Sequence, residues 1–113
     1  MSSIEVKTGD VWLAALDPTV GSEIQKTRPC LVVSPLEMND YLRTVIVAPM
    51  TTGSRPAGFR VSVTFQGKTG LLLLDQIRTI DKTRLVKKVG SIQKATLTKT
   101  LRTLQDVFEP SGV

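Results

Sequence analysis

From residue 11 to residue 92 the chain is a series of short β-forming runs, each cut off by a turn rich in Pro, Gly or polar residues, and only after Lys94 does the period change. That pattern excludes helical bundles and alternating β–α units, and it admits a small antiparallel sheet with one helix. The first run is residues 11–16, ended by Asp17-Pro18 because proline has no N–H to give a ladder. Residues 30–34 form the second run, apolar throughout its centre, and residues 44–49 the third, with a helical turn expected between them at residues 36–39. Residues 59–65 alternate, setting Phe59, Val61, Val63 and Phe65 on one face. After a hairpin connection at residues 66–70, residues 71–81 read as one continuous strand, followed by a basic turn at residues 82–88 and a last strand at residues 89–92. Leu97, Leu101, Leu104 and Phe108 then recur at helical spacing, and Pro110 stops the helix. The expected fold is mainly β with a C-terminal helix, a small antiparallel barrel with the helix packed on it. The 113 residues contain no internal repeat or linker and read as one domain, 1–113.

Charge is distributed unevenly. Residues 1–42 carry three Lys/Arg against six Asp/Glu, whereas residues 43–102 carry twelve against two, within a net charge of +5. The basic block points to an anionic partner, nucleic acid first, against the plainer reading that the lysines serve solubility. One Trp, one Tyr and three Phe offer no obvious stacking platform of the RNA-recognition-motif kind. No apolar run approaches the roughly 18–20 residues of a membrane span. The first residues lack the apolar region of a secretory signal, so a cytoplasmic protein without membrane partners is expected. A lone cysteine, Cys30, lies inside an apolar run and reads as a small buried hydrophobe.

There is no histidine. That removes Ser–His and Cys–His nucleophiles, imidazole acid–base pairs and imidazole metal ligands, and with scattered carboxylates no zinc or two-metal site is credible. The glycine-rich loops match neither a P-loop nor a dinucleotide fingerprint, so no cofactor is expected. Among the few reactions left to Arg, Thr and carboxylates is cleavage of RNA. RNA supplies its own nucleophile, the 2′-hydroxyl, and the protein has to move protons and stabilise charge on a pentacoordinate phosphorane. A guanidinium fork binds two phosphate oxygens, and a threonine hydroxyl adds a neutral donor. Arg28, at the mouth of the second run and followed by Pro29, and the pair Thr51-Thr52, at the end of the third, are placed to converge at one end of a barrel. Glu23 lies five residues before Arg28 on a polar loop.

These residues resemble the MazF/PemK toxins of bacterial toxin–antitoxin pairs. The resemblance rests on Gly9-Asp-Val-Trp-Leu13, Asp17-Pro18, Gly21-Ser-Glu23, Arg28-Pro29 leading into Leu31-Val-Val-Ser34, Pro49-Met-Thr-Thr52, Ala57-Gly-Phe59 and Asp75-Gln-Ile-Arg-Thr-Ile-Asp81, in order at family spacing. It implies an SH3-like barrel, a symmetric homodimer and metal-independent cleavage of single-stranded RNA to 2′,3′-cyclic phosphate and 5′-hydroxyl ends. It also implies a cognate MazE-like antitoxin whose acidic C-terminal segment covers the basic surface. By the same resemblance Arg28, Thr51 and Glu23 are the catalytic positions, with Ser22, Gln25, Lys26, Thr52, Asp75, Gln76 and Arg78 along the substrate groove. Many members carry Gln-Gly-Gly where this chain has Ile24-Gln25-Lys26, and some carry histidine where it has Ser22. A guanidinium is a poor proton donor near neutrality, so stabilisation of transition-state charge is the assignment for Arg28, and Glu23 is the candidate base. Plainer roles stand beside these: an ion pair of Glu23 with Lys26 or Arg28, strand-end capping by Thr51, and for Asp75 either satisfying nearby backbone amides or a local pair with Arg78. Arg55, Arg60, Lys68, Arg78, Arg84, Lys87 and Lys88 are candidates for phosphate contacts. Two other functions fit the same pattern. One is a gyrase poison like CcdB, which needs an aromatic C-terminal end that this chain lacks after Phe108; the other is a non-catalytic barrel that binds RNA or protein.

Overall fold

The apolar run around Cys30 lies at the centre of the sheet. In the computed structural model, which describes residues 4–110, this run belongs to strand β2 (Thr27–Val32), antiparallel to β1 (Asp10–Ala15) on one side and to β3 (Thr44–Thr51) on the other. Both faces of these strands are covered, so their alternation sorts side chains into two cores rather than into core and solvent. Trp12, Ala14, Cys30, Val32, Val45 and Val47 join one core; Val11, Leu31, Ala48 and Met50 join the other. Each large side chain so buried contributes about 1.5–3 kcal/mol. Burial pushes the Cys30 thiol up to about 12, although Arg78 and Arg28 pull the other way, so this cysteine packs as an apolar group.

Strands β4 (Arg60–Phe65) and β5 (Lys68–Leu73) form a hairpin, and β5 pairs with the last residues of β3. The first half of β3 pairs instead with β6 (Arg78–Asp81), while β7 (Leu85–Ser91) flanks β1, giving the order β4-β5-β3-β2-β1-β7 with β6 beside β3. Helix α1 (Leu36–Tyr41) joins β2 to β3, and α2 (Lys94–Val107) follows β7, with Leu104 against the second core. Buried Ser34 and Asn39 pin the α1 connection. The Ser34 hydroxyl donates to Asn39 Oδ1 (2.5 Å), the Asn39 amide donates back to the Ser34 carbonyl (2.9 Å), and the Ile46 N–H donates to Ser34 Oγ (3.1 Å). The result is the mainly antiparallel fold with a C-terminal helix that the pattern implied.

The structure differs from the sequence reading in several details. The hydrogen-bonded path does not close into a barrel. β4 and β7 do not pair with each other, and the hairpin tip spans the gap, with Gln66 Nε2 donating to the Val89 carbonyl at 3.1 Å. Residues 71–81 are not one strand, because a 3-10 turn, Leu74–Gln76, turns the chain from β5 to β6. The basic stretch at residues 82–88 is a 3-10 turn, Lys82–Arg84, followed by strand β7, whose exposed Lys87 and Lys88 blunt an edge of the sheet. β2 starts at Thr27 rather than Cys30. Phe59 precedes β4 and is 42% exposed, and Phe108 caps α2 from outside at 68% exposure instead of completing its apolar stripe.

Candidate active site

Two prolines open the cleft. The β2–β3 ladder pairs Val32 with Val47, Leu31 with Ala48 and Cys30 with Pro49, and there it stops. Pro29 and Pro49 both lack the N–H that a ladder needs, so β2 and β3 part at this point. Arg28 and Thr51 each lie two residues beyond the last pair, on the strand ends that part there. Both line a cleft of about 280 Å³ with Thr52, Lys68 and Gly70, and its apolar side is built from Pro29, Met50, Val63 and Phe65.

Arg28 is half-buried, and its Nε donates to the Gln25 carbonyl at 2.8 Å, which fixes the side chain and leaves both terminal nitrogens without a protein partner among the described residues. Thr51 Oγ1 accepts from the Gly53 N–H at 3.2 Å, so the strand-end cap is present, and the hydroxyl proton is free to be donated elsewhere. Gly70 approaches the other side of Thr51 so closely that a Cβ there would sit 2.6 Å from the Thr51 carbonyl oxygen.

A second cleft, about 520 Å³, holds most of the remaining predicted residues: Ser22, Glu23, Asp75, Gln76 and Arg78. Glu23 is therefore separate from Arg28 and Thr51. Its Oε1 accepts from the Val20 N–H at 2.8 Å, and the ion pair with Lys26 or Arg28 is absent from the salt bridges of the described residues. Asp75 does form an ion pair, though with Arg60 rather than Arg78. Arg60 Nε and Nη2 donate to Asp75 Oδ1 and Oδ2 at 3.1 and 2.9 Å, while Nη1 donates to the Arg55 carbonyl. This fork holds the Asp75 carboxyl below the usual carboxylate range, with burial working against it. Gln76 Oε1 accepts from the Ile24 N–H at 2.7 Å. The turn at residues 74–76 thus ties down the loops on both sides, residues 52–59 through Arg60 and residues 17–26 through Ile24. Arg78 donates to the Leu16 carbonyl at 3.0 Å. Gln25 contributes only its carbonyl to Arg28, and Lys26, at φ +73, lines neither cleft.

The family profile of the PemK-like, MazF-like toxins of type II toxin–antitoxin systems matches residues 7–108. The chain is 38% identical over 110 residues to the endoribonuclease PemK of Escherichia coli, covering 92% of this chain and 83% of PemK. It belongs to this toxin family. Its fold matches MazF of Deinococcus radiodurans at a TM-score of 0.81, 22% identity and coverage of 93% and 97%. A mycobacterial endoribonuclease solved in complex with its cognate antitoxin is matched at a TM-score of 0.78, 24% identity and coverage of 94% and 98%.

Within this PemK/MazF-type chain, sequence reasoning named Arg28, Thr51 and Thr52 and missed what surrounds them. Gly70, Phe65 and Gln66 carry no chemical signal in the sequence. They belong to the site because β5 pairs with β3 at Met50↔Leu72 and Thr51↔Leu71, a register fixed by the fold. Arg60 was one basic residue among many, and its partner Asp75 lies 15 residues away.

Proposed function

We propose that this endoribonuclease toxin of the PemK/MazF type cuts single-stranded RNA, at preferred sequences and without a metal ion, at the cleft between Arg28 and Thr51. The observation that carries the reading is that Arg28 and Thr51 line one cleft just beyond the end of the β2–β3 ladder, with both Arg28 terminal nitrogens unpaired by protein among the described residues. The 2′-hydroxyl of the substrate attacks the adjacent phosphorus, the P–O5′ bond breaks, and the products carry a 2′,3′-cyclic phosphate and a 5′-hydroxyl. Arg28 binds non-bridging oxygens as charge builds on the phosphorane, and the Thr51 hydroxyl donates to one of them. Glu23 is the candidate acceptor of the 2′-hydroxyl proton. It lies in the second cleft, so this role requires the loop of residues 17–26 to release its Ile24–Gln76 bond and carry Glu23 over the bound strand. Ser22, Gln25, Lys26, Thr52, Asp75, Gln76 and Arg78 flank the path of the RNA. No three His, Cys, Asp or Glu side chains converge among the described residues.

The proposal extends to the partners. The whole chain, residues 1–113, acts as one toxin domain in the cytoplasm, and no helix among the described residues is long and apolar enough to cross a membrane. It pairs as a homodimer, supported by the apolar Leu36 and Tyr41 that α1 leaves 58% and 87% exposed. A MazE-like antitoxin with an acidic C-terminal segment neutralises it, as the pairing in the mycobacterial complex suggests.

The deciding experiment is incubation with a long single-stranded RNA in excess EDTA beside Arg28→Ala. Discrete fragments with 5′-hydroxyl ends are expected from the wild type, at a rate roughly 10²–10³ times that of the variant. Intact RNA from folded wild-type protein, or cleavage that EDTA abolishes, overturns the reading.

A further inference from the structure

Four of the seven basic residues that the sequence offered as phosphate contacts are already engaged. Arg60 is paired with Asp75, Arg78 donates to the Leu16 carbonyl, Arg84 donates to the carbonyls of Ala15 and Asp17, and Lys88 lies 3.3 Å from the Asp10 carboxylate. Arg55, Lys68 and Lys87 have no side-chain partner among the described residues, and of these three Lys68 alone lines the Arg28–Thr51 cleft. It gets there by strand register. In the β4–β5 ladder Val63 pairs with Gly70 and Phe65 with Lys68, so these four residues share one face of the hairpin, and all four line the cleft. That face presents two apolar side chains, a bare backbone at Gly70 and one cation.

The hairpin tip is held in place. Gln66 and Gly67 take φ of +51° and +77°, a two-residue turn with both central residues left-handed, which suits the twist of a hairpin and strains a glutamine. Gln66 also reaches across to the Val89 carbonyl, and the Phe65 ring lies against Gly90, where a Cβ would come within 3.0 Å of the ring. The tip is thereby anchored to β7, and Lys68 is presented from a fixed wall.

We propose that Lys68 is a second phosphate-binding residue of this cleft, contacting the phosphate next to the scissile one across from Arg28, while Phe65 covers the apolar face of the intervening nucleotide. This rests on the nuclease reading above and assigns to the β4–β5 hairpin the wall that grips the backbone. A lysine is suited to the role because an ammonium is a point charge that binds phosphate without demanding the bidentate geometry reserved for Arg28 at the reacting centre.

The test is the salt dependence of binding to a 2′-O-methylated single-stranded RNA, which lacks the nucleophile. Wild type, Lys68→Met, Lys68→Arg and the control Lys99→Met on α2, which lines neither cleft, are compared, with thermal melts to verify folding. Each phosphate contact on a single strand contributes about 0.7 to the slope of log affinity against log salt. Lys68→Met is expected to lower the slope by about 0.7, while Lys68→Arg and Lys99→Met keep it. A wild-type slope in Lys68→Met, from protein whose wild type cuts RNA in EDTA, overturns the role of Lys68 and leaves the nuclease reading standing. Failure of the wild type to cut in EDTA overturns both.

Discussion

Asp75 and Arg60 form the ion pair on which the second cleft is built, and its pH dependence has a definite sign. The Arg60 fork lowers the Asp75 pKa in the folded state, so the pair stabilises the protein fully above the unfolded value of about 3.9 and loses that contribution as pH falls through the lower folded value. In melts run against pH, wild type and Asp75→Asn should differ most above about pH 4 and converge below it. Asp81 is also lowered, chiefly by the Thr83 N–H, but it is common to both proteins and cancels in the comparison. A gap that persists unchanged into strong acid would rule out the pair as its cause. The ion-pair partner that the sequence offered, beside nearby backbone amides and a place in the groove, was Arg78, which is near in number. The fold chose Arg60 because Arg60 pairs with Leu73 across the β4–β5 ladder, two residues from Asp75.

Elements decide how wide the reactive cleft is. The prolines at 29 and 49 end one ladder of β3, and the absence of a side chain at Gly70 lets β5 close against its other edge beside Thr51. Gly70→Ala would place a methyl group 2.6 Å from the Thr51 carbonyl, against backbone that has no flexible end to swing away. The variant is expected to lose about 1–3 kcal/mol in denaturant unfolding and most of its RNA cleavage, since Thr51 or the strand must move. Gly58→Ala, with open space around the new methyl, is the matched control. An unchanged midpoint and rate for Gly70→Ala would refute this account of Thr51 placement. Strand β7 shows the opposite kind of error. Lys87 and Lys88 made it read as a turn, yet lysines on an exposed edge are how a sheet avoids pairing with other sheets.

At the scale of the molecule, the chain carries its apolar excess outside as well as inside. Leu36 and Tyr41 on α1 and Val86 on β7 are more than half exposed. If the proposed homodimer uses such surface, light scattering at micromolar concentration should return twice the 12.3 kDa of one chain. A mass of one chain under those conditions would remove the dimer from the proposal. The basic block of residues 43–102 is also a whole-molecule property, and half of its meaning was hidden in the sequence. A count of charges does not tell which are spent on carbonyls and carboxylates and which remain for an anion. What the sequence determined by itself was local: the succession of short β runs, the change to helical period after Lys94, the placing of Arg28 before Pro29 at the mouth of one run and of Thr51 at the end of another, and the absence of histidine that narrows the chemistry. These follow from side-chain type and spacing over a few residues. Only the tertiary structure decided that Glu23 and Asp75 sit in a different cleft from Arg28, that Arg60 rather than Arg78 holds Asp75, and that Lys68 faces the reactive cleft unpaired by protein among the described residues. Those relations join residues far apart in the chain. They depend on strand register and on where ladders stop, which pairing between strands sets and no short window of sequence contains.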